Sequence, residues 1–184
     1  MKTIKIDEDI TLKEISSSSP GRIFNAIDRN REYLRKWLPF VDSTQSMKDS
    51  EDYVLSVINS DCPKKDMVFE IWFEDDFCGL VGLKEIDHYN RKTELGYWLI
   101  ESLQGKGIML RSCRGLIQYA FDALKMNRIQ IKCAIGNERS MQIPLRLKFE
   151  FEGVEKSGEF VHGKYLDLKT YAILKRDWKQ KQNT

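Results

Sequence analysis

Apolar residues along this chain keep one period before Asp66 and another after it. Ile23, Phe24, Ile27, Tyr33, Leu34, Trp37 and Leu38 recur at helical spacing, spread over two short helices. Ser16-Ser17-Ser18-Ser19-Pro20 breaks the chain ahead of them and starts a helix, because proline has no N–H to lose in a first turn. Pro39 stops the run. Ser46 to Asn59 is a second helical region, with Tyr53, Val54, Val57 and Ile58 on one face. Upstream, Ile10 to Ile15 is expected to be an edge strand, with Ile10, Leu12 and Ile15 as its apolar positions.

Beyond Asp66 the pattern turns to strands. Met67 to Phe73 and Phe77 to Ile86 are apolar, β-rich runs, with Asp75-Asp76 as a hairpin turn between them. Lys92 to Ile100 is the next strand. From Gly107, Cys113, Leu116, Ile117, Ala120, Phe121 and Leu124 mark a helix face. Arg128 to Ile135 alternates as a strand, and Glu138 to Leu147 is helical, with Pro144 expected in its first turn or at a kink. Phe149 to Glu155 and Tyr165 to Leu174 close the chain as strands, leaving Gly158-Glu159 and Gly163 in the loop between. Strand-helix-strand units and antiparallel hairpins both occur, so the expectation is an α/β (α+β) fold with one mixed, mostly antiparallel sheet flanked by helices.

Composition narrows the reading. At 184 residues, without repeat or long linker, residues 1–184 fit a single domain. Net charge is only +2, so no global field favours nucleic acid, and no direct nucleic-acid binding is expected. The basic tail Lys175 to Lys181 reads as a solvated terminus. Cys62, Cys78, Cys113 and Cys133 show no C-x-x-C spacing, and only His88 and His162 stand to join them, so no metal is expected. Scattered single cysteines suit a reducing, cytoplasmic setting. Neither a secretory h-region of roughly 7–15 apolar residues nor a membrane-spanning run of about 18 is present.

The most informative segment is Glu94-Leu-Gly-Tyr-Trp-Leu-Ile-Glu-Ser-Leu-Gln-Gly-Lys-Gly-Ile108. A strand ends, two glycines flank one lysine, and a helix begins. A helix start exposes unpaired N–H groups and the positive end of the dipole. Glycine lets a phosphate approach them. The segment is neither a P-loop nor the dinucleotide fingerprint, since Leu110 breaks the latter. An ordinary strand-to-helix turn is the plain alternative.

This segment resembles motif A of the GNAT superfamily of N-acetyltransferases, read here as Gln104-x-x-Gly107-x-Met109. Glu94-Leu-Gly-Tyr-Trp-Leu99 with Gln104-Gly-Lys-Gly-Ile108 is similar to the RimJ/RimL branch, which acetylates N-termini of ribosomal proteins. Asn137-x-x-Ser140, Pro144-x-Arg146-Leu147-x-Phe149, Glu152-Gly153, Gly158-Glu159 and Tyr165-x-Asp167…Tyr171 match the rest of that branch. The resemblance implies a GNAT fold whose acetyl-CoA-binding core runs from about 66 to 175, with acceptor-side helices at about 20–60. It implies that Gln104, Gly105, Lys106, Gly107, Ile108 and Met109 cradle the pyrophosphate of acetyl-CoA, flanked by Lys106, Arg111 and Arg114. The pantetheine arm would add like a strand beside Tyr97, Trp98 and Leu99, whose side chains read as packing. Asn137 would hold the pantetheine or the local turn. Met109 stands where the pattern prefers a small residue, and Lys148 replaces a glycine, which strains the loop if φ is positive there.

Acetyl transfer needs a neutral amine and a protonated leaving thiolate. The resemblance assigns Glu159 as the base and Ser140 as the hydroxyl at the departing sulfur. Helix capping is the other reading of Asn137 and Ser140, and solvation that of Glu159. Glu94 and Glu70 are competing bases, whereas His88 and His162 read as surface residues. An α-amine, with a pKa of about 7.7–8.0, needs less help than a lysine at about 10.4. The RimJ/RimL resemblance implies a protein N-terminus, that of a ribosomal protein, as the acceptor, attacked directly in a ternary complex. A polyamine, amino acid or antibiotic is the alternative, to which Asp28, Asp49, Glu51 and Asp52 are suited unless they simply line solvated helix faces. A non-catalytic acyl-CoA-binding module is a third reading. By resemblance alone, a homodimer or larger homo-oligomer is expected.

Overall fold

The computed structural model describes residues 2–59 and 63–181, with side chains to residue 178. Cys62 lies outside the described residues. The elements run β1 (Thr3–Lys5), β2 (Ile10–Glu14), α1 (Pro20–Arg29), α2 (Arg31–Leu34), α3 (Phe40–Ser43), α4 (Met47–Ile58), β3 (Met67–Phe73), β4 (Asp76–Asp87), β5 (Lys92–Leu99), α5 (Ile108–Asp122), β6 (Arg128–Ala134), α6 (Glu138–Arg146), β7 (Glu150–Val161), β8 (Lys164–Leu174) and α7 (Lys175–Lys181). One sheet holds all eight strands in the order β1-β2-β3-β4-β5-β6-β8-β7. Every pairing is antiparallel except β5 with β6.

Alternation sorts the strands' side chains between two cores. Phe69, Ile71, Val81, Leu83, Leu95, Ile129, Ile131 and Cys133 join Leu116, Ile117 and Phe121 of α5. Val68, Leu80 and Trp98 point the other way, into Ile23, Ile27, Leu34, Val41, Val54 and Val57 of α1 to α4. The helical period before Asp66 thus builds one layer, and α5 the opposite one. Met109 is 9% exposed within the first core, so its side chain turns away from the glycine loop and its bulk does not obstruct it.

Several expectations need correction. β2 is an interior strand, because the three-residue β1 pairs outside it, Thr3 with Lys13 and Lys5 with Thr11. Glu74 and Asp75, both at positive φ, make the β3–β4 turn, and Asp76 already pairs with Phe73. Pro144 sits late in α6, not in its first turn. The basic tail is helical and partly docked: Trp178 is 4% exposed, packs on Phe121 and donates to Gln118 Oε1 at 2.8 Å. β7 does not end at Glu155 but runs on to Val161 through an irregularity between Glu155 and Glu159. Glu155 faces Leu168 and Glu159 faces Leu166, so the intervening residues bulge outward. Asp167 holds the bulge by accepting from Ser157 N at 2.9 Å and from Lys156 Nζ at 2.8 Å.

Lys148 has φ 62 at the end of α6, the left-handed position where the sequence pattern prefers glycine. A side chain there costs about 1–2 kcal/mol, partly offset by glycine's larger chain entropy. Lys148→Gly is expected to raise the urea unfolding midpoint, worth about 0.5–1 kcal/mol, without altering turnover.

Candidate active site

The parallel contact between β5 and β6 is short. Lys92 pairs with Arg128, Thr93 with Ile129 and Glu94 with Gln130. Beyond these, β5 continues to Leu99 and β6 to Ala134 without pairing to each other. The strands diverge into a slot, and the backbone of Leu95 to Leu99 offers that slot an open ladder. A strand-like arm finds its donors and acceptors there, leaving Trp98 and Leu99 free to pack as core.

The glycine loop stands at the mouth of this slot, after β5. Gly105 and Gly107 have φ 80 and 75, and no protein atom lies within 4 Å of where a Cβ would stand on either. Packing therefore does not demand glycine here; left-handed backbone and an unobstructed cradle do. Gly107 caps α5 without a side-chain hydrogen bond, and no acidic residue occupies the first turn. The N–H groups of Ile108, Met109 and Leu110 remain as donors at the positive helix end. Those groups fit a pyrophosphate. Lys106 and Arg114 are exposed nearby. Arg111 is not a free flanking cation, because it pairs with Asp7 at 2.8 Å and Asp9 at 3.5 Å. Gln104 is a brace: it donates to Tyr33 Oη of α2 and accepts from Arg139 of α6 at 2.7 Å.

Ser140 borders the slot from the α5 side of the sheet. Asn137 caps α6 and accepts from Ser140 N at 3.2 Å, so capping fixes the serine backbone. Its Oγ lies 3.2 Å from Tyr97 Oη and 3.3 Å from Cys133 Sγ, one neighbour from each diverging strand. Burial raises the Cys133 thiol above its ordinary range.

The carboxylates lie on the opposite face. Glu70 is 2% exposed and occupied: Oε1 accepts from Arg22 Nε at 3.1 Å and Nη2 at 2.9 Å, and Oε2 from Trp72 Nε1 at 2.9 Å. Glu94 is engaged by Lys84 at 3.4 Å, Lys132 at 3.9 Å and Gln130 at 3.2 Å. Glu159 makes no direct ion pair or hydrogen bond among the described residues. Burial raises its carboxyl above the usual range; Lys84 and Lys132 pull it down and Glu94 pushes it up. The charges that act on it, Lys84, Glu94 and Lys132, belong to β4, β5 and β6. Ser140 thus borders the slot on one face of the sheet, and the charges that act on Glu159 stand on the other.

The hairpin that carries Glu159 is anchored to α3 and the end of α2. His162 Nδ1 lies 2.8 Å from Asp42 Oδ2, and its Nε2 lies 2.6 Å from the Arg35 carbonyl. His162 is therefore a tether and not a loose surface residue, while exposed His88 touches the Lys64 carbonyl. The acidic residues proposed for a cationic acceptor are mostly committed locally. Asp28 pairs with Arg31, Asp52 with Lys48, and Asp49 closes a capping box with Ser46. The sequence placed Tyr97 beside the pantetheine arm as packing and read His162 as a surface residue; the Tyr97 hydroxyl's contact with Ser140, the place of Cys133 and the His162 tether were not foreseen. Their contacts span 43, 7 and 127 residues, and only Pro144, discussed below, marks one of them locally. Among the described residues no cluster of His, Cys, Asp and Glu is arranged to hold a metal ion, and no helix is long and apolar enough to cross a membrane.

Comparison with known proteins agrees with this geometry. Residues 9–150 match the model of the acetyltransferase (GNAT) domain. The chain is 34% identical over 179 residues to the putative ribosomal N-acetyltransferase YdaF of Bacillus subtilis, covering 97% of this chain and 98% of that one. It is 30% identical over 171 residues to the ribosomal-protein-serine acetyltransferase of Escherichia coli, covering 93% and 96%. Among solved structures, RimL, a ribosomal L7/L12 alpha-N-protein acetyltransferase in complex with coenzyme A as a cysteine disulfide, superimposes with a TM-score of 0.90 at 25% identity over 94% of this chain and 98% of that one. With a splayed parallel pair, a glycine loop at its mouth and a family match across most of its length, the chain belongs to the GNAT acetyltransferase family.

Proposed function

We propose that this protein transfers the acetyl group of acetyl-CoA to the N-terminal α-amine of a protein, a ribosomal protein in the first instance. The single observation that carries the chemistry is the slot where β5 and β6 diverge, with Ser140 against both strands on one face; Glu159, acted on by Glu94 and Lys132 of the same two strands, is the base this reading assigns to the other face. Relatives named for ribosomal-protein acetylation span nearly the whole chain and support the acceptor class. Coenzyme A bound as a cysteine disulfide in RimL supports a thiol end lying near a cysteine, and Cys133 lies beside Ser140 here.

In this reading the loop from Gln104 to Met109 holds the pyrophosphate, and the arm lies along Tyr97 to Leu99. The amine enters from the acceptor-helix face. Its nitrogen attacks the thioester carbon, and Glu159 accepts the proton it releases. The tetrahedral adduct expels sulfur with the bonding pair, and the Ser140 hydroxyl meets that sulfur. Donor and acceptor occupy opposite faces together, so transfer is direct and needs no acyl-enzyme. Reduced buried cysteines at positions 78, 113 and 133 accord with a cytoplasmic setting. Self-association belongs to the same proposal, and exposed Phe151, Phe160 and Tyr165 on the terminal hairpin offer apolar area for it.

The test is a panel of N-terminal peptides, their N-blocked lysine-containing counterparts and small polyamines, each with labelled acetyl-CoA. Free α-amines are expected to be acetylated at least about tenfold faster than lysine side chains at neutral pH, because a larger fraction is unprotonated. Preference for a polyamine over every peptide would overturn the acceptor assignment while leaving the donor site standing.

A further inference from the structure

Helix α6 places a proline where a hydrogen-bond donor is needed. In an α-helix the carbonyl of one residue accepts from the N–H four residues on. For Ser140 that residue is Pro144, which has no N–H and whose ring crowds the same carbonyl. The orphaned carbonyl is met from outside the helix. Tyr97 Oη donates to it at 3.0 Å. The same oxygen lies 3.2 Å from Ser140 Oγ. A phenol carries one hydrogen. With that hydrogen spent on the carbonyl, Tyr97 has only lone pairs for the serine, so this contact runs from serine to tyrosine. Cys133 Sγ at 3.3 Å, the other neighbour of Oγ, is a weak acceptor. Burial first, and the neighbouring cysteines next, hold the Tyr97 phenol well above its ordinary range, so the phenol keeps its proton.

We propose that Tyr97 is a positioning residue: together with Pro144 it fixes the Ser140 hydroxyl beside the slot where the thioester sulfur departs, accepting the serine's one hydrogen until the sulfur becomes the stronger acceptor. This rests on the reading of Ser140 given above. During transfer the C–N bond forms and the C–S bond breaks, its electron pair leaving on sulfur. The Ser140 hydrogen moves to sulfur, and the serine oxygen recovers a proton from water, to which Glu159 returns the one taken from the amine. Tyr97 remains neutral throughout; it holds the serine hydroxyl in place at rest, and the serine hydrogen turns from the phenol to sulfur as negative charge gathers there.

Steady-state kinetics of the full chain, with acetyl-CoA and whichever amine the wild type acetylates best, test the idea. Tyr97→Phe is expected to lower kcat about tenfold while KM for acetyl-CoA stays within about twofold. Ser140→Ala is expected to cost about 30–100-fold. The double variant should be no slower than Ser140→Ala, because Tyr97 acts through a hydroxyl that is then gone. Pro144→Ala returns the missing N–H. It should raise the melting temperature, since a helix interior disfavours proline, and yet lower kcat about threefold, because Tyr97 is released from the carbonyl. Wild-type kcat in Tyr97→Phe, multiplying losses in the double variant, or an undiminished kcat in a more stable Pro144→Ala would each overturn the proposal. Inert Ser140→Ala would overturn the role of Ser140 and this inference with it. Failure of every peptide acceptor, with a small amine still turned over, would overturn only the acceptor class.

Discussion

Glu159→Gln is expected to lower kcat about 100-fold near pH 6, with a deficit that shrinks steadily toward pH 9. General bases contribute about 10²–10⁴, and the lower end fits an α-amine that is already partly neutral. The sign follows from the burial of Glu159, which lifts its carboxyl above the usual range. The base must be ionised to accept a proton, so the wild-type rate falls on the acid side at a pH above that of an ordinary carboxylate. Glutamine removes both the base and that limb. At high pH the free amine fraction rises, assistance matters less, and the two profiles converge. Glutamine keeps the size of the side chain, so the β7 bulge held by Asp167 persists. Parallel pH–rate profiles for wild type and variant would remove Glu159 from the mechanism. Glu70 and Glu94 would not inherit the role easily, being bound by Arg22 and Trp72 and by Lys84 and Gln130.

Gly107→Val is expected to weaken coenzyme A binding at least about 100-fold by calorimetry. The main part is steric. A valine side chain fills the space beside the first N–H groups of α5, where a phosphate oxygen must come within hydrogen-bonding distance. The rest is conformational. Position 107 has φ 75, where a side chain costs about 1–2 kcal/mol and a β-branched one is disfavoured most. The fold should survive, since nothing of the protein lies within 4 Å of a Cβ at this site. A cooperative melt within a few degrees of wild type, with affinity lost, is the expected pair of results. Undiminished affinity would move the diphosphate elsewhere.

Local patterns announced most of the fold. The helical spacing from Ile23 to Leu38, the alternation from Arg128 and the glycines after Leu99 each carry their meaning within a few residues. The misread positions depend on distant partners. Gly158-Glu159 has the composition of a loop, and it is a bulged strand because Asp167 captures Ser157 and Lys156 from the neighbouring strand. β1 is too short to show alternation, and it displaced β2 from the edge. Trp178 lies in a basic tail yet finds Phe121, far away in sequence. At the site, the glycine turn ahead of α5 was legible because left-handed backbone and a helix start are set within a few residues. Arg111 looked available beside that turn until the fold brought Asp7 and Asp9 to it. Tyr97 is the instructive case. It sits in an apolar run and reads as packing, and its hydroxyl matters only because Pro144, on a helix 47 positions later, leaves a carbonyl without a donor.

Among the described residues, β1–β5 and β6–β8 are joined by the three residue pairs of β5 with β6, with the Arg91 carbonyl accepting from Asn127 N and Arg128 N at their closed end. The sheet is thus two plates meeting at a seam, and opening under stress begins at that seam. A pantetheine arm lying along Leu95 to Leu99 would rivet it, adding rungs where the polypeptide supplies none. Resistance to unfolding and occupancy by cofactor then become two readings of a single quantity, rising together by RT ln(1 + [L]/Kd).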